Sequence, residues 1–110
     1  MYLVYDTTMS RSQARIEAEI ARIKKSLVSL GHMHPGSLSV QKRSRGSEYH
    51  QLSYSYGGKG HTKYVRPEDI PEVRRELASY RKFRELAGRW VELEIELARL
   101  RRGEERSKKG

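Results

Sequence analysis

Between Ser37 and Arg66 the chain interleaves hydroxyls, amides and cations in a pattern suited to recognising nucleic acid. Gln41, Gln51, Ser53 and Ser55 offer groups that hydrogen-bond to base edges, while Arg43, Arg45, Lys59, Lys63 and Arg66 are of the types that grip phosphates. Lys42 and His61 belong to the same set. Against the six lysines and arginines of residues 36–66 stands one acid, Glu48. Other chemistry is hard to build here. His32 and His34 form a His-x-His pair with no carboxylate or cysteine close in sequence to complete a metal site. They read as exposed or capping histidines, His34 suiting the dipole at a helix C-terminus. No nucleophile elbow, phosphate loop or histidine–carboxylate cluster is present. An enzyme, a cofactor, a metal and a small-molecule substrate are therefore not expected.

The formal charge is +9, unevenly spread. Residues 1–35 carry five basic and three acidic side chains, and those from 67 onward twelve and ten, so the imbalance is concentrated in the stretch above. With 35% hydrophobic and 34% charged residues, narrow apolar seams are expected rather than a broad core. The absence of cysteine excludes disulfides and thiolate chemistry. No apolar run approaches the length of a membrane span, and the opening Met-Tyr-Leu-Val-Tyr-Asp is unlike a signal peptide. A soluble cytoplasmic protein is the expectation.

Two helices must hold this basic stretch. Ser10 and Gln13 have capping-box spacing, and Ile16, Ile20, Ile23, Leu27 and Leu30 recur at steps of three and four. They predict a helix over 11–31, with Gly31 as a left-handed cap. After the Pro35-Gly36 turn, three strands make a β-meander over 37–66, with turns at Gly46 and at Gly57-Gly58-Lys59. A three-residue second loop sets Leu52 opposite Tyr64 and Tyr54 opposite Thr62. Leu38, Val40, Leu52, Tyr54 and Tyr64 then share the packed face, and Ser39, Gln41, Arg43, Gln51, Ser53, Ser55, His61 and Lys63 the open one. A loop longer by one residue pairs Leu52 with Val65 and moves Lys63 across. A second helix over 69–102 opens on an Asp69–Glu72 cap with Pro71 in its first turn. Ile70, Val73, Leu77, Tyr80, Phe83, Leu86, Trp90, Leu93, Leu97 and Leu100 form its seam, and Gly88 interrupts its interior. Residues 104–110 read as a disordered basic tail.

The run Pro35-Gly36-Ser37-Leu38, then Tyr49, Leu52-Ser53-Tyr54, Gly57-Gly58-Lys59, Tyr64-Val65 and Tyr80 to Leu86, resembles a small prokaryotic domain family of unknown function over about residues 30–100. Members of that family typically carry a cysteine-rich knuckle between the first two strands. Here Gln41 to Glu48 has none, so no metal role is carried over. Gly-Gly-Lys followed by Thr62-Lys63-Tyr64-Val65 is also similar, more weakly, to the arm-type DNA-binding domain of tyrosine integrases, which reads DNA through a three-stranded sheet.

Together these features predict a single α+β domain over 1–103, ordered helix, three-stranded antiparallel β-meander, long helix. The helices are expected to form an antiparallel hairpin, the first covering the second from Ile70 to about Phe83. Trp90, Leu93, Leu97 and Leu100 would then lie bare and join two copies as a homodimer, unless Tyr2 to Tyr5 folds over them. The expected function is binding of nucleic acid, foremost duplex DNA, by the basic sheet. About five phosphate contacts correspond to a log–log salt slope near −4 to −5. The rival is a coiled-coil interaction or assembly module that binds no nucleic acid.

Overall fold

The computed structural model describes residues 10–103. Helix α1 (Arg11–Val28) precedes strands β1 (Ser37–Lys42), β2 (Glu48–Tyr56) and β3 (Lys59–Val65), and a 3-10 turn at Pro67–Asp69 leads into helix α2 (Ile70–Arg102). The order is thus the α+β arrangement expected. Among the described residues no helix is long and apolar enough to cross a membrane. The described residues divide into two compact units, one holding residues 10–29 and 85–103, the other Leu30–Arg84. The N-terminal apolar run Tyr2 to Tyr5 and the tail 104–110 lie outside the described residues.

In the first unit, α1 starts where its capping chemistry dictates. The Gln13 N–H donates to Ser10 Oγ at 3.1 Å, and the Ser10 N–H donates to Gln13 Oε1 at 3.0 Å. Two otherwise unpaired donors are satisfied at once. The helix ends at Val28 with Ser29 as its cap, three residues before the predicted end, and Gly31 has no positive φ. Ser29 takes over the capping: its hydroxyl and its N–H both donate to the Ser26 carbonyl.

Ile16, Ile20 and Ile23 pack on Leu93 and Leu97, with Leu27, Leu86, Trp90 and Leu100 around them. Glu17 and Ile20 line one depression with Leu97 and Arg101, while the Lys24 ammonium sits over the Trp90 ring, so the helices run antiparallel. Arg89 clamps Glu19 across the pair, Nε to Oε2 at 2.9 Å and Nη2 to Oε1 at 3.4 Å. That hydrogen bond holds the Glu19 carboxyl below its usual range. Such an exposed pair orients more than it stabilises.

The expected pairing is corrected on one point. α1 covers the far half of α2, not Ile70 to Phe83, so Trp90, Leu93, Leu97 and Leu100 are not a bare dimer surface. Leu93 is 1% exposed within its own chain. The physical reason lies in the second unit, where Ile70, Val73 and Leu77 are claimed by the sheet and pack on Leu52 and Val65, joined by Leu38 and Tyr54.

The sheet is antiparallel in the order β1-β2-β3. Its entry is pinned by Gly36, at φ 113°, whose backbone lies against Ser53 and Tyr54, and by the His34 N–H, which donates to the Glu76 carbonyl of α2 at 3.1 Å.

Candidate nucleic-acid interface

Leu38 pairs with Leu52 and Val40 with His50 across β1 and β2, while Leu52 pairs with Lys63 and His50 with Val65 across β2 and β3. Both registers weighed from the sequence are therefore off. Tyr56 faces Lys59, leaving a two-residue loop of Gly57 and Gly58 at φ 61° and 80°. Two successive positive φ values are what a primed hairpin turn requires, and two glycines meet that requirement without strain. Lys59 is thereby freed to begin β3.

A one-residue change of register turns every β3 side chain to the opposite face. His61 and Lys63 leave the expected open face and, with Lys59 from the expected loop, join Lys42 on the side that carries Leu52 and Val65. His61 stacks on Tyr54 at 4.8 Å, and His34 meets the same ring edge-on at 4.7 Å. His34 Nδ1 also lies 2.7 Å from the Pro35 carbonyl oxygen. Among the described residues no group of three or more His, Cys, Asp or Glu side chains could hold a metal ion.

The open face instead carries Ser37, Ser39, Gln41, Tyr49, Gln51, Ser53, Ser55, Thr62 and Tyr64. Of the residues singled out beforehand, Gln41, Gln51, Ser53 and Ser55 are where they were expected. Arg43 continues the β1 alternation onto this side, its guanidinium 4.7 Å from the centre of the Tyr49 ring. Tyr49 and Tyr64 lie 6.3 Å apart as tilted neighbours, and Tyr64 is 57% exposed. Gln41 Nε2 donates to Ser39 Oγ at 3.1 Å. No acidic side chain belongs to this face among the described residues, since Glu48 pairs with Lys42 on the other.

Arg45 stands in the β1–β2 turn, which is closed by the Arg43 N–H donating to Ser47 and the Gly46 N–H donating to Arg43. Arg66 is committed elsewhere. Its Nε donates to Asp69 Oδ2 at 3.0 Å with Glu68 at 3.9 Å, and the hydrogen bond to Asp69 raises its pKa further above the ordinary value. The Asp69 carboxylate foreseen as a helix cap thus serves Arg66, and the chain enters α2 through the 3-10 turn.

Beside the free edge of β1 is a cleft of about 340 Å³ lined by Ser37, Leu38, Val40 and His50 and by Arg74, Leu77 and Arg81 of α2. The two arginines, seven residues apart, share the helix side of Leu77 and pair with no carboxylate among the described residues. Sequence reasoning dissolved them in the balanced charge of the long helix. Their spacing about a core leucine was the available signal.

A family model described as a domain of unknown function, DUF6788, matches residues 9–75. No curated protein and no solved structure matches the chain.

Proposed function

The chain belongs to the DUF6788 family of domains of unknown function, and from that premise we propose that the open sheet face of this member binds nucleic acid, with bases stacking on Tyr49 and Tyr64. The single observation that carries the reading is the acid-free face on which Arg43 lies over Tyr49 beside an exposed Tyr64. Aromatic rings on a sheet surface form a stacking platform, each stacked base contributing about 1–3 kcal/mol. The surrounding hydroxyls and amides donate to and accept from base edges. Such a platform favours unpaired bases, whose rings are free to stack, over the duplex DNA expected from charge alone. Arg43 and Arg45 supply phosphate contacts on the open side, and Arg74 and Arg81 supply them along the β1 edge.

Titration of the protein with single-stranded DNA, single-stranded RNA and duplex DNA over a range of salt tests this. Four phosphate contacts imply a log–log slope of about −3 on single strands, shallower than the five-contact value on duplex. Binding to the single strands should be tighter than to the duplex. Preference for the duplex would assign the face to groove reading instead, and no binding at low salt would remove the proposal.

A further inference from the structure

We propose that the protein self-associates through the side of α2 that α1 leaves open, a second copy packing antiparallel along Gly88, Val91, Ile95 and Ala98. Val91 and Ile95 are 58% and 59% exposed, although the same helix buries Leu93 and Leu97 on its other side. Spacings of three, four and three residues place Gly88, Val91, Ile95 and Ala98 on one stripe, the periodicity of a helix-packing seam. Val91, Ile95 and Ala98 of the stripe, together with Ala87, line a shallow apolar depression whose rim includes Trp90 and Glu94. Those two are engaged within the chain, the Trp90 Nε1–H donating to Glu94 at 3.0 Å.

Gly88 is the independent observation. A glycine weakens a helix interior, and a Cβ built at Gly88 meets nothing within 4 Å, so packing within the chain does not require it. Close approach by another helix would make use of it.

A second copy is the occupant because the stripe is self-complementary. Its members are symmetric about residue 93, so a two-fold axis there sets Gly88 against Ala98 of the second copy and Val91 against Ile95 of the second copy. Small residues meet small ones at each end, and β-branched residues meet at the centre. In an antiparallel two-fold pair the same flank of each helix meets itself. Glu85, Glu92 and Arg99 lie on one flank, which brings Glu85 near Arg99 of the second copy and Glu92 near its own counterpart, each Glu92 being already paired with Arg89 of its own chain. Arg84 and Arg102 close the stripe at either end, so the contact is about three turns long and its dissociation constant should fall in the micromolar range. The contact takes none of the open-face residues, and it stands whether or not nucleic acid binds.

Sedimentation equilibrium of the full chain, from low micromolar to several hundred micromolar, should show a monomer–dimer equilibrium. Gly88→Gln should raise the dissociation constant about tenfold or more while the melting temperature holds or rises, because Gln is the better helix former. Val91→Glu with Ile95→Glu should give monomer throughout. A wild-type protein that stays monomeric over the whole range overturns the proposal, as does a dimer that survives both variants. A monomer that dimerises only after removal of residues 1–5 would assign the stripe to that segment, and also overturns it.

Discussion

Leu93→Ala is expected to lower stability by about 3–4 kcal/mol, the range found when a buried leucine is truncated in a site that cannot collapse. Leu93 is 1% exposed and belongs to the cluster of Ile16, Ile20, Ile23 and Leu97. β-branched isoleucines have few rotamers with which to fill the space left behind. For a chain of this size the loss corresponds to a fall of roughly 12–25 °C in melting temperature. The single tryptophan, Trp90, packs against this cluster, so its fluorescence follows the relevant unit. Ile95→Ala, on the exposed side of the same helix, should cost far less in the monomer. Equal losses at the two positions would contradict the pairing of α1 with the far half of α2.

Gly36→Ala is expected to destabilise the sheet by about 3 kcal/mol through two causes that add. At φ 113° an L residue is strained. Its Cβ would also collide with the Ser53 carbonyl oxygen and lie 2.7 Å from Tyr54 Cβ. Neither neighbour can yield cheaply, since one is backbone of the central strand and the other is the root of a ring held between His34 and His61. Amide exchange in β1 and β2 should accelerate. Gly31→Ala is the matched control, because Gly31 has no positive φ and its added Cβ would meet nothing within 4 Å. If Gly36→Ala proved as harmless as Gly31→Ala, the close approach of the Pro35-Gly36 turn to β2 would be wrong.

Local features were legible in the residues. The reciprocal Ser10–Gln13 cap, the Ile16-Ile20-Ile23 stripe and the alternation of Leu38, Leu52 and Tyr54 each depend on neighbours a few positions away, and each appears as expected, whereas Val40 shares their side at the open β1 edge and stays 52% exposed. What depends on distant choices was not legible. Ile70, Val73 and Leu77 have the same helical spacing as Leu93 and Leu97, so periodicity alone left open which set serves α1 and which the sheet. The register turned on whether Lys59 ends the loop or begins the strand, and with two adjacent glycines a two-residue turn was open to the chain. That one residue decided whether His61 and Lys63, or Thr62 and Tyr64, share a face with Gln51 and Ser53. The tyrosine pair and the Arg74–Arg81 edge could not be assembled until both questions were settled. Arg66 shows a smaller lesson: a basic residue followed at the third position by an acid ahead of a helix is a partnered charge before it is a phosphate ligand.

The most direct test of nucleic-acid binding compares the two faces of the sheet in one titration series against a single-stranded oligonucleotide. One variant combines Arg43→Ala, Tyr49→Ala and Tyr64→Ala on the open face, the other Lys59→Ala and Lys63→Ala on the opposite face, with melting temperatures recorded for both. Loss of the stacking platform should weaken binding by roughly thirtyfold or more, the equivalent of about 2 kcal/mol, with the fold retained. The lysine variant should lose no more than about threefold, from long-range charge alone. The reverse ranking, or an open-face variant that binds as the wild type does, would contradict the assignment of this face to nucleic acid.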